Sequence, residues 1–501
     1  MYRKYEREQI SIEDFLISSL SSHTEVIIDF RYRYHGDYDE EKYFSDYDEE
    51  TLVKASSQYA IKGLQNLSKA LVNCTNLQKL ELNLSSETGD EISKALGSVL
   101  EKCSNISSLT LQINKNRIGD KCAQEIDSAF AYCLNLSYLK VLLCYNNIGD
   151  QGTSDLGTNL GKYTNLQILT LWLRGCQIGC KGASGLGLGL SKCSNLQKLA
   201  LYLESNQIGD QGASDLGSSL GKCTKLNDLQ LELRNNKIGD IGASGLCSTL
   251  SNCVSLSNLL LRIFDNQIGD AGALGLGSSL GQCTSIQNLL ISLRHNKFSR
   301  QGASNFGKAF KNSYNLQTLD LDLFGNNIGI IGAQSFSHAL ANFSNIEFLD
   351  LSLLNNKIGD EGAIGIGNSL AKCNQIQELN LSLGNCSLEE NAIQSKNQIG
   401  PKGIYGLSVG LAKCKSLQNF EFSFYDMQIN EETASNLGYG LSHCKNLSKL
   451  TLIMNFSKSC AMLLGSALIN SAQLPTLKLE FTIEIQLRSV RKKINKSKKN
   501  I

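Results

Sequence analysis

The phrase Asn-x-Ile-Gly-Asp-x-Gly-Ala, or a near variant, returns every thirty residues along most of the 501-residue chain. Its isoleucine slot falls at Ile118, Ile148, Ile178, Ile208, Ile238, Ile268, Phe298, Ile328 and Ile358 without a slip, and after one insertion resumes at Ile399 and Ile429. A fixed period of this length requires stacked supersecondary units, each covering the apolar face of its neighbour, rather than one globular core. The expected organisation is an elongated array over residues 59–470 with an insertion at about 386–396, an N-terminal cap at 1–58, and a C-terminal cap strand and tail at 471–501.

One repeat shows why the unit is a strand followed by a helix. In Leu226–Cys253, Leu229, Leu231 and Leu233 alternate with Gln230, Glu232 and Arg234. Period two means a strand with one buried and one open face. Asn236 stands at the bend, where a side-chain amide can satisfy the backbone groups of adjacent turns. Gly239 permits a tight turn, and Asp240 is expected to cap the helix that follows. Ala243, Leu246 and Leu250 then recur at helical spacing, ending near Cys253. Helical runs such as Gly185–Gly189 carry many glycines, each weakening an isolated helix by roughly 1 kcal/mol. The expected compensation is close approach of neighbouring helices.

Ten of the seventeen cysteines occupy one slot of the repeat: Cys74, Cys103, Cys133, Cys193, Cys223, Cys253, Cys283, Cys373, Cys414 and Cys444. A slot that returns once per turn points inward every time, so these read as buried thiols rather than a disulfide framework. The start of the chain, MYRKYEREQISIEDF, lacks an apolar segment, and no apolar run is long enough to span a membrane. A reducing cytoplasm is the expected setting, with nuclear access through the basic tail. Lys plus Arg number 48 against 47 for Asp plus Glu, so no global field favours nucleic acid or an anionic membrane.

The pattern LxxLxLxLxxNxIGDxGAxxLxxxLxxC resembles the leucine-rich repeat of the ribonuclease-inhibitor-like class, over roughly residues 60 to 470. The resemblance implies an α/β horseshoe, with parallel strands on the concave face and helices on the convex face. It departs from the usual repeat in its thirty-residue length and an extra Leu-x step in the strand. The class includes Ran GTPase-activating proteins and the sensor arms of nucleotide-binding receptors. An enzyme-regulating protein or the arm of a larger receptor is therefore the alternative reading. The basic C-terminus, from Arg488 to Lys499, counts against the former.

The interruptions are informative too. Cys176 and Met427 replace Asn in its slot, and Cys180, Arg300 and Ile330 replace Asp. An acidic stretch, Asp37 to Glu50, follows a strand-like segment at Val26–Tyr34 and reads as a solvated loop. A second strand is expected at Leu477–Ile485. Gly217–Cys223 superficially resembles a phosphate loop, but it has one residue too few between its glycines and lacks the hydroxyl residue after Lys222. Cys176 and Cys180 have no second Cys/His pair near them in sequence, so no metal site is expected. No catalytic residues, cofactor or small-molecule substrate are expected either.

The informative positions are then those on the open face of the strands. Trp172, Arg174, Tyr202, Glu232, Arg234, Arg262, Phe264, Arg294, Asp320, Asp322 and Phe324 are the candidate partner-binding residues. Adjacent strands lie about 4.8 Å apart, so these side chains share one field. Trp, Tyr and Arg are the types most enriched at binding hot spots. The field reads as aromatics turned to solvent, with a basic centre at Arg234, Arg262 and Arg294 and an acidic end at Asp320, Asp322 and Asp350. The expected function is a non-catalytic scaffold that binds a protein partner on the concave face.

Overall fold

The computed structural model of the chain describes residues 24–29, 49–72, 74, 76–84, 91–309, 315–341, 345–386, 395–425, 427, 429–455, 457–469 and 476–480. Most of the acidic stretch, the middle of the insertion and the basic tail lie outside the described residues. The chain divides into two compact units, Met1–Asn266 and Gln267–Ile501.

Each unit is a run of one motif. The first comprises β1 (Glu25–Asp29), α1 (Glu49–Leu71), β2 (Lys79–Asn83), α2 (Glu91–Leu100), β3 (Ser108–Gln112), α3 (Asp120–Phe130), β4 (Tyr138–Leu142), α4 (Gly149–Leu160), β5 (Ile168–Trp172), α5 (Cys180–Leu190), β6 (Lys198–Tyr202), α6 (Gly209–Leu220), β7 (Asp228–Glu232), α7 (Asp240–Cys247) and β8 (Asn258–Arg262). The second comprises α8 (Asp270–Leu280), β9 (Asn288–Ser292), α9 (Arg300–Ala309), β10 (Thr318–Asp322), α10 (Gly329–Leu340), β11 (Phe348–Ser352), α11 (Gly359–Leu370), β12 (Glu378–Ser382), α12 (Pro401–Leu411), β13 (Asn419–Phe424), α13 (Glu431–Ser442), β14 (Lys449–Met454), α14 (Lys458–Ile469) and β15 (Thr476–Glu480). Within each unit the strands pair in parallel and in chain order. Leu229 lies opposite Leu199 on one side and Leu259 on the other, so the leucines of successive repeats stack into one core layer. This is an α/β leucine-rich repeat solenoid. The acidic stretch does not run on as a loop to Glu50: Glu49 and Glu50 open α1.

Three side-chain ladders join one repeat to the next. The first is the asparagine slot. Asn236 is fully buried. Its Nδ2 donates to the carbonyl of Leu203, one repeat back, at 2.8 Å and to that of Leu233 in its own repeat at 3.2 Å. The Oδ1 of Asn266 in turn accepts from the backbone N–H groups of Asn236 at 2.9 Å and Ile238 at 3.0 Å. Where Cys176 takes the slot, its thiol still donates to the Leu143 carbonyl at 3.1 Å. Past the insertion, Asn397 fills it, donating to Leu353 and Leu383 at 2.7 Å each. Asn385 holds the base of the insertion, accepting from the Asn397 N–H at 2.6 Å.

The second ladder corrects the expected cap. The aspartate does not cap its own helix; it caps the helix of the following repeat. Asp210 Oδ1 accepts from the N–H groups of Gly239 at 2.6 Å and Gly242 at 2.9 Å, at the start of α7. Asp150 does the same for Gly179 and Gly182, and Asp360 for Gly400 and Gly403. The reason is geometric: the first-turn N–H groups of each helix point toward the preceding aspartate, and a carboxylate is favoured at that positive helix end. The glycine before the helix takes one of two conformations. With Asp210 in place, Gly239 is extended at φ −104°. Where Cys180, Arg300 or Ile330 replaces the aspartate, the next glycine takes left-handed φ: Gly209 at +61°, Gly329 at +65° and Gly359 at +57°; Gly149 does so too, at +61°, with Asp120 bonded to Gly152. The N–H of Gly209 then donates to the Asn236 carbonyl, and that of Gly329 to Asn356.

The third ladder is the cysteine slot. The thiols lie below the end of a helix, and several donate back to a carbonyl of the previous repeat, as Cys223 does to Leu190 and Cys253 to Leu220, both at 3.4 Å, while Cys103 donates to Val99 of its own helix. Tyr163 stands in for cysteine once, and its hydroxyl donates to the Phe130 carbonyl at 2.8 Å. All seventeen cysteines are free; only Cys180 is exposed and only Cys386 is half-buried. Burial pushes the Cys103, Cys133, Cys223, Cys414 and Cys444 thiols up to about 12. An unfolded thiol ionises near its ordinary 9.0, so from pH 9 to 12 the unfolded chain gives up protons that the folded chain keeps. Stability is therefore full below pH 9 and falls as pH rises through that window. Urea midpoints measured across this range should decline steeply. At neutral pH an aromatic disulfide reagent should titrate Cys180 quickly, Cys386 slowly and the other thiols only on unfolding.

The glycines of the helices are explained by contact. A Cβ on Gly157 would lie 2.4 Å from the Gly185 carbonyl oxygen, and one on Gly189 only 1.6 Å from that of Gly157. Helices α4 and α5 thus touch backbone to backbone, as do α11 and α12, where a Cβ on Gly410 would lie 2.0 Å from the Gly367 oxygen.

Candidate functional site

The open face of each sheet carries the residues that alternate with the leucines. Of the eleven sequence candidates, Arg234 is exposed, Glu232 and Phe324 are buried, and the other eight are half-buried. The expectation of aromatics turned to solvent therefore fails at Phe324, which is 3 % exposed. The Arg294 guanidinium lies 4.6 Å above its ring and the His295 ring meets it edge-on at 4.6 Å. Glu232, at 5 % exposure, is covered because Arg262 pairs with it at 2.7 Å and Gln230 donates to it at 3.2 Å.

Nor is there a free basic centre. Arg234 pairs with Asp265 at 2.8 Å and lies 4.9 Å above the Phe264 ring. Arg262 is engaged by Glu232, and Arg294 lies 3.5 Å from Asp322. Burial raises the Asp322 carboxyl above its ordinary range, opposed by the Phe324 N–H, Arg294 and the Ser352 and Ser292 hydroxyls. Asp350 is raised by burial too, despite the hydrogen bond from Asn380 at 3.0 Å. Asp320 and Asp350 are paired across adjacent strands β10 and β11.

In the first unit the structure brings together a compact aromatic and polar patch. Trp172 and Tyr202 are register partners on β5 and β6, and their rings sit 4.3 Å apart at 36°. Arg174, just past β5, places its guanidinium 5.4 Å over the Tyr145 ring, and Lys115 approaches the same ring at 5.9 Å. Three atoms here are buried without a hydrogen-bond partner: Trp172 Nε1, Arg174 Nε and Glu204 Oε2. Burial raises the Glu204 carboxyl and the Tyr202 hydroxyl above their ordinary values. Each unmade hydrogen bond of this kind costs about 1–3 kcal/mol, so the cluster is an energetically strained part of the sheet face.

Tyr145 was not among the sequence candidates. It belongs to a slot one residue beyond the face, with left-handed backbone at Lys115, Tyr145, Gly175, Ser205, Asn235, Asp265, His295, Gly325 and Asn355. A bulky side chain is unfavourable there by roughly 1 kcal/mol. Two aromatic rings nevertheless occupy the slot, and each is followed one repeat later by glycine. A Cβ on Gly175 would lie 3.0 Å from the Tyr145 ring, and one on Gly325 would lie 2.4 Å from His295 Nδ1. That pairing, aromatic then glycine thirty residues on, is the signal in the sequence that finds Tyr145 and His295.

The Gly217–Leu220 segment is the last turn of α6, where the helix dipole disfavours phosphate. Cys176 is buried and Cys180 exposed, so the two do not form a pair of ligands. Among the described residues no group of His, Cys, Asp or Glu is arranged to hold a metal ion. Among them, too, no helix is long and apolar enough to cross a membrane.

Comparison with known proteins agrees with the fold. The family described as "Leucine Rich repeat" matches residues 192–217, 224–247, 256–277 and 344–367. No curated protein matches the chain. Among solved structures, that of the complex of Rad7 and Elc1 in yeast is similar at 14 % identity, covering 88 % of this chain and 94 % of that one, with a TM-score of 0.38.

Proposed function

We propose that this leucine-rich repeat chain is a non-catalytic scaffold of the ribonuclease-inhibitor-like kind that binds a protein partner on the open, concave face of its sheet. The observation that carries the reading is the patch formed by Tyr145, Trp172, Arg174, Tyr202 and Glu204. Here two aromatic rings meet at a tilt, a third is held on left-handed backbone, and three buried polar atoms lack partners. Side chains that rearrange on binding to meet a partner's polar groups would recover those hydrogen bonds, while the aromatic surface supplies apolar contact. The rigid sheet lowers the ordering cost of binding, since little backbone has to be fixed. Free, largely buried thiols fit a reducing compartment such as the cytoplasm.

The test compares the wild-type chain with a folded Tyr145→Ala/Trp172→Ala/Tyr202→Ala variant as bait in native lysate, read by mass spectrometry. A protein retained by the wild type and reduced at least about tenfold by the variant is the expected result, as for removal of a hot spot worth about 1.4 kcal/mol or more. Equal recoveries would remove the sheet face from consideration.

A further inference from the structure

A repeat protein supplies its own control: the same slot can be compared from one repeat to the next. On the outer side of the helices two slots are polar through most of the chain. One reads Ser154, Ser184, Ser214 and Ser244 in α4 to α7, with a single leucine at Leu274 in α8; the other reads Ser128, Thr158, Ser218 and Ser248, with a single leucine at Leu188 in α5. Near the end of the second unit each carries apolar residues in two successive helices. The first slot reads Ile364 in α11 and Tyr405 in α12 before returning to Ser435, and the second, after Asn368, reads Val409 in α12 and Tyr439 in α13. Helix α14 adds Met462 and Leu463. Tyr405 is 50 % exposed, Tyr439 52 %, Met462 64 % and Leu463 40 %.

These side chains share one continuous face. Gly406 lies against Ile364, Gly440 against Ser408, and Gly438 against Ala467, where a Cβ would meet the neighbouring atoms at 2.5, 2.4 and 2.7 Å. The helices α11 to α14 are therefore in direct contact side by side, and their outer positions line up. Contiguous apolar surface rimmed by charge is the mark of an interaction site rather than of scattered exposure.

The charges say what covers it. Exposed Glu431 and Glu432 begin α13. Exposed Lys413 and Lys415 follow α12, and exposed His443 and Lys445 follow α13, with no acidic residue before the next strand in either case. At the acidic end, Lys402 and Glu361 neutralise each other at 2.6 Å, and Lys458, which opens α14, is a single positive charge against the two glutamates. The basic residues also suit the helix C-termini, but that effect stabilises each helix separately and does not account for the apolar strip between the two charged ends. A two-fold axis lying in the plane of this face and perpendicular to its helices sets them face to face and antiparallel to those of a second copy. It brings the acidic end of one chain onto the basic end of the other, with the apolar strip meeting itself.

We infer that the outer face of α12 to α14 is a self-complementary interface that pairs two copies of this chain. The surface is separate from the sheet face, so the two readings stand or fall independently.

The test is sedimentation of the full chain at micromolar concentration with three variants, each checked for unchanged helix content and melting temperature. The wild type should sediment as a dimer, and Tyr439→Glu/Met462→Glu as a monomer. Glu431→Lys/Glu432→Lys should weaken the dimer at least tenfold. Adding Lys413→Glu/Lys445→Glu to that variant should restore it, because a two-fold axis pairs each altered end with the other. A wild-type monomer, a dimer indifferent to the apolar variant, or a charge swap that fails to restore pairing would each overturn the proposal. Capture of an unrelated protein on this face by a monomeric wild type would overturn it as well.

Discussion

Replacing Gly189 with alanine should destabilise the first unit by about 3 kcal/mol or more, although alanine is the better helix former by roughly 1 kcal/mol. The new Cβ would sit 1.6 Å from the Gly157 carbonyl oxygen, a distance no rotamer can relieve because the backbone fixes the Cβ and the oxygen is itself backbone. Helices α4 and α5 would have to separate, pulling the leucine layers beneath them out of register. Gly119→Ala is the control. That glycine has φ −97° and open space around its missing Cβ, so the change should stay within about 0.5 kcal/mol. Urea midpoints of the two variants, with hydrogen exchange of the α4 and α5 amides, decide the matter. Equal midpoints would mean that the helix contacts are looser than the structure has them.

The second large effect is expected at Asn236→Ala, at roughly 3 kcal/mol. The side chain serves three carbonyls, Leu203, Leu233 and Arg234, and alanine would leave the buried first two without this donor. Its Oδ1 also accepts from the Ile208 N–H at 3.4 Å, a weaker bond. Gln230→Ala, on the open face of the same strand, should cost less than about 1 kcal/mol, because Glu232 keeps its pairing with Arg262. Comparable losses at the two positions would reverse the assignment of inner and outer faces.

The period made most of the core legible. Leu229, Leu231 and Leu233, Asn236 and the cysteine slot each repeat in one environment, so their burial follows from counting. What counting misses is any property set between neighbouring repeats. Asp240 reads as a cap for its own helix because the caps expected from sequence are local, whereas Asp210 reaches forward 29 residues to Gly239. Phe324 reads as exposed because its strand position is; its burial comes from Arg294 and His295 on the preceding repeat. The arginines look like a basic centre until Asp265, Glu232 and Asp322 are seen beside them. The choice between left-handed and extended glycine is likewise set between repeats and not by the preceding aspartate alone, since Gly149 is left-handed with Asp120 in place.

The forward reach of the aspartate has a consequence for how such a chain can change length. Asp210 is tied to Gly239 and Gly242, and Asp360 to Gly400 and Gly403 across the insertion, so the bonds follow the slot and not the number of residues between. No repeat is a finished object, because the opening of its helix is completed by the one before and its carbonyls by the one after. Copying or excising a segment from one aspartate to the next would heal every such bond, whereas any fractional change within the repeated frame would break three ladders at once. Apart from residues looped out between slots, as in the insertion, the array thus grows and shrinks in whole words.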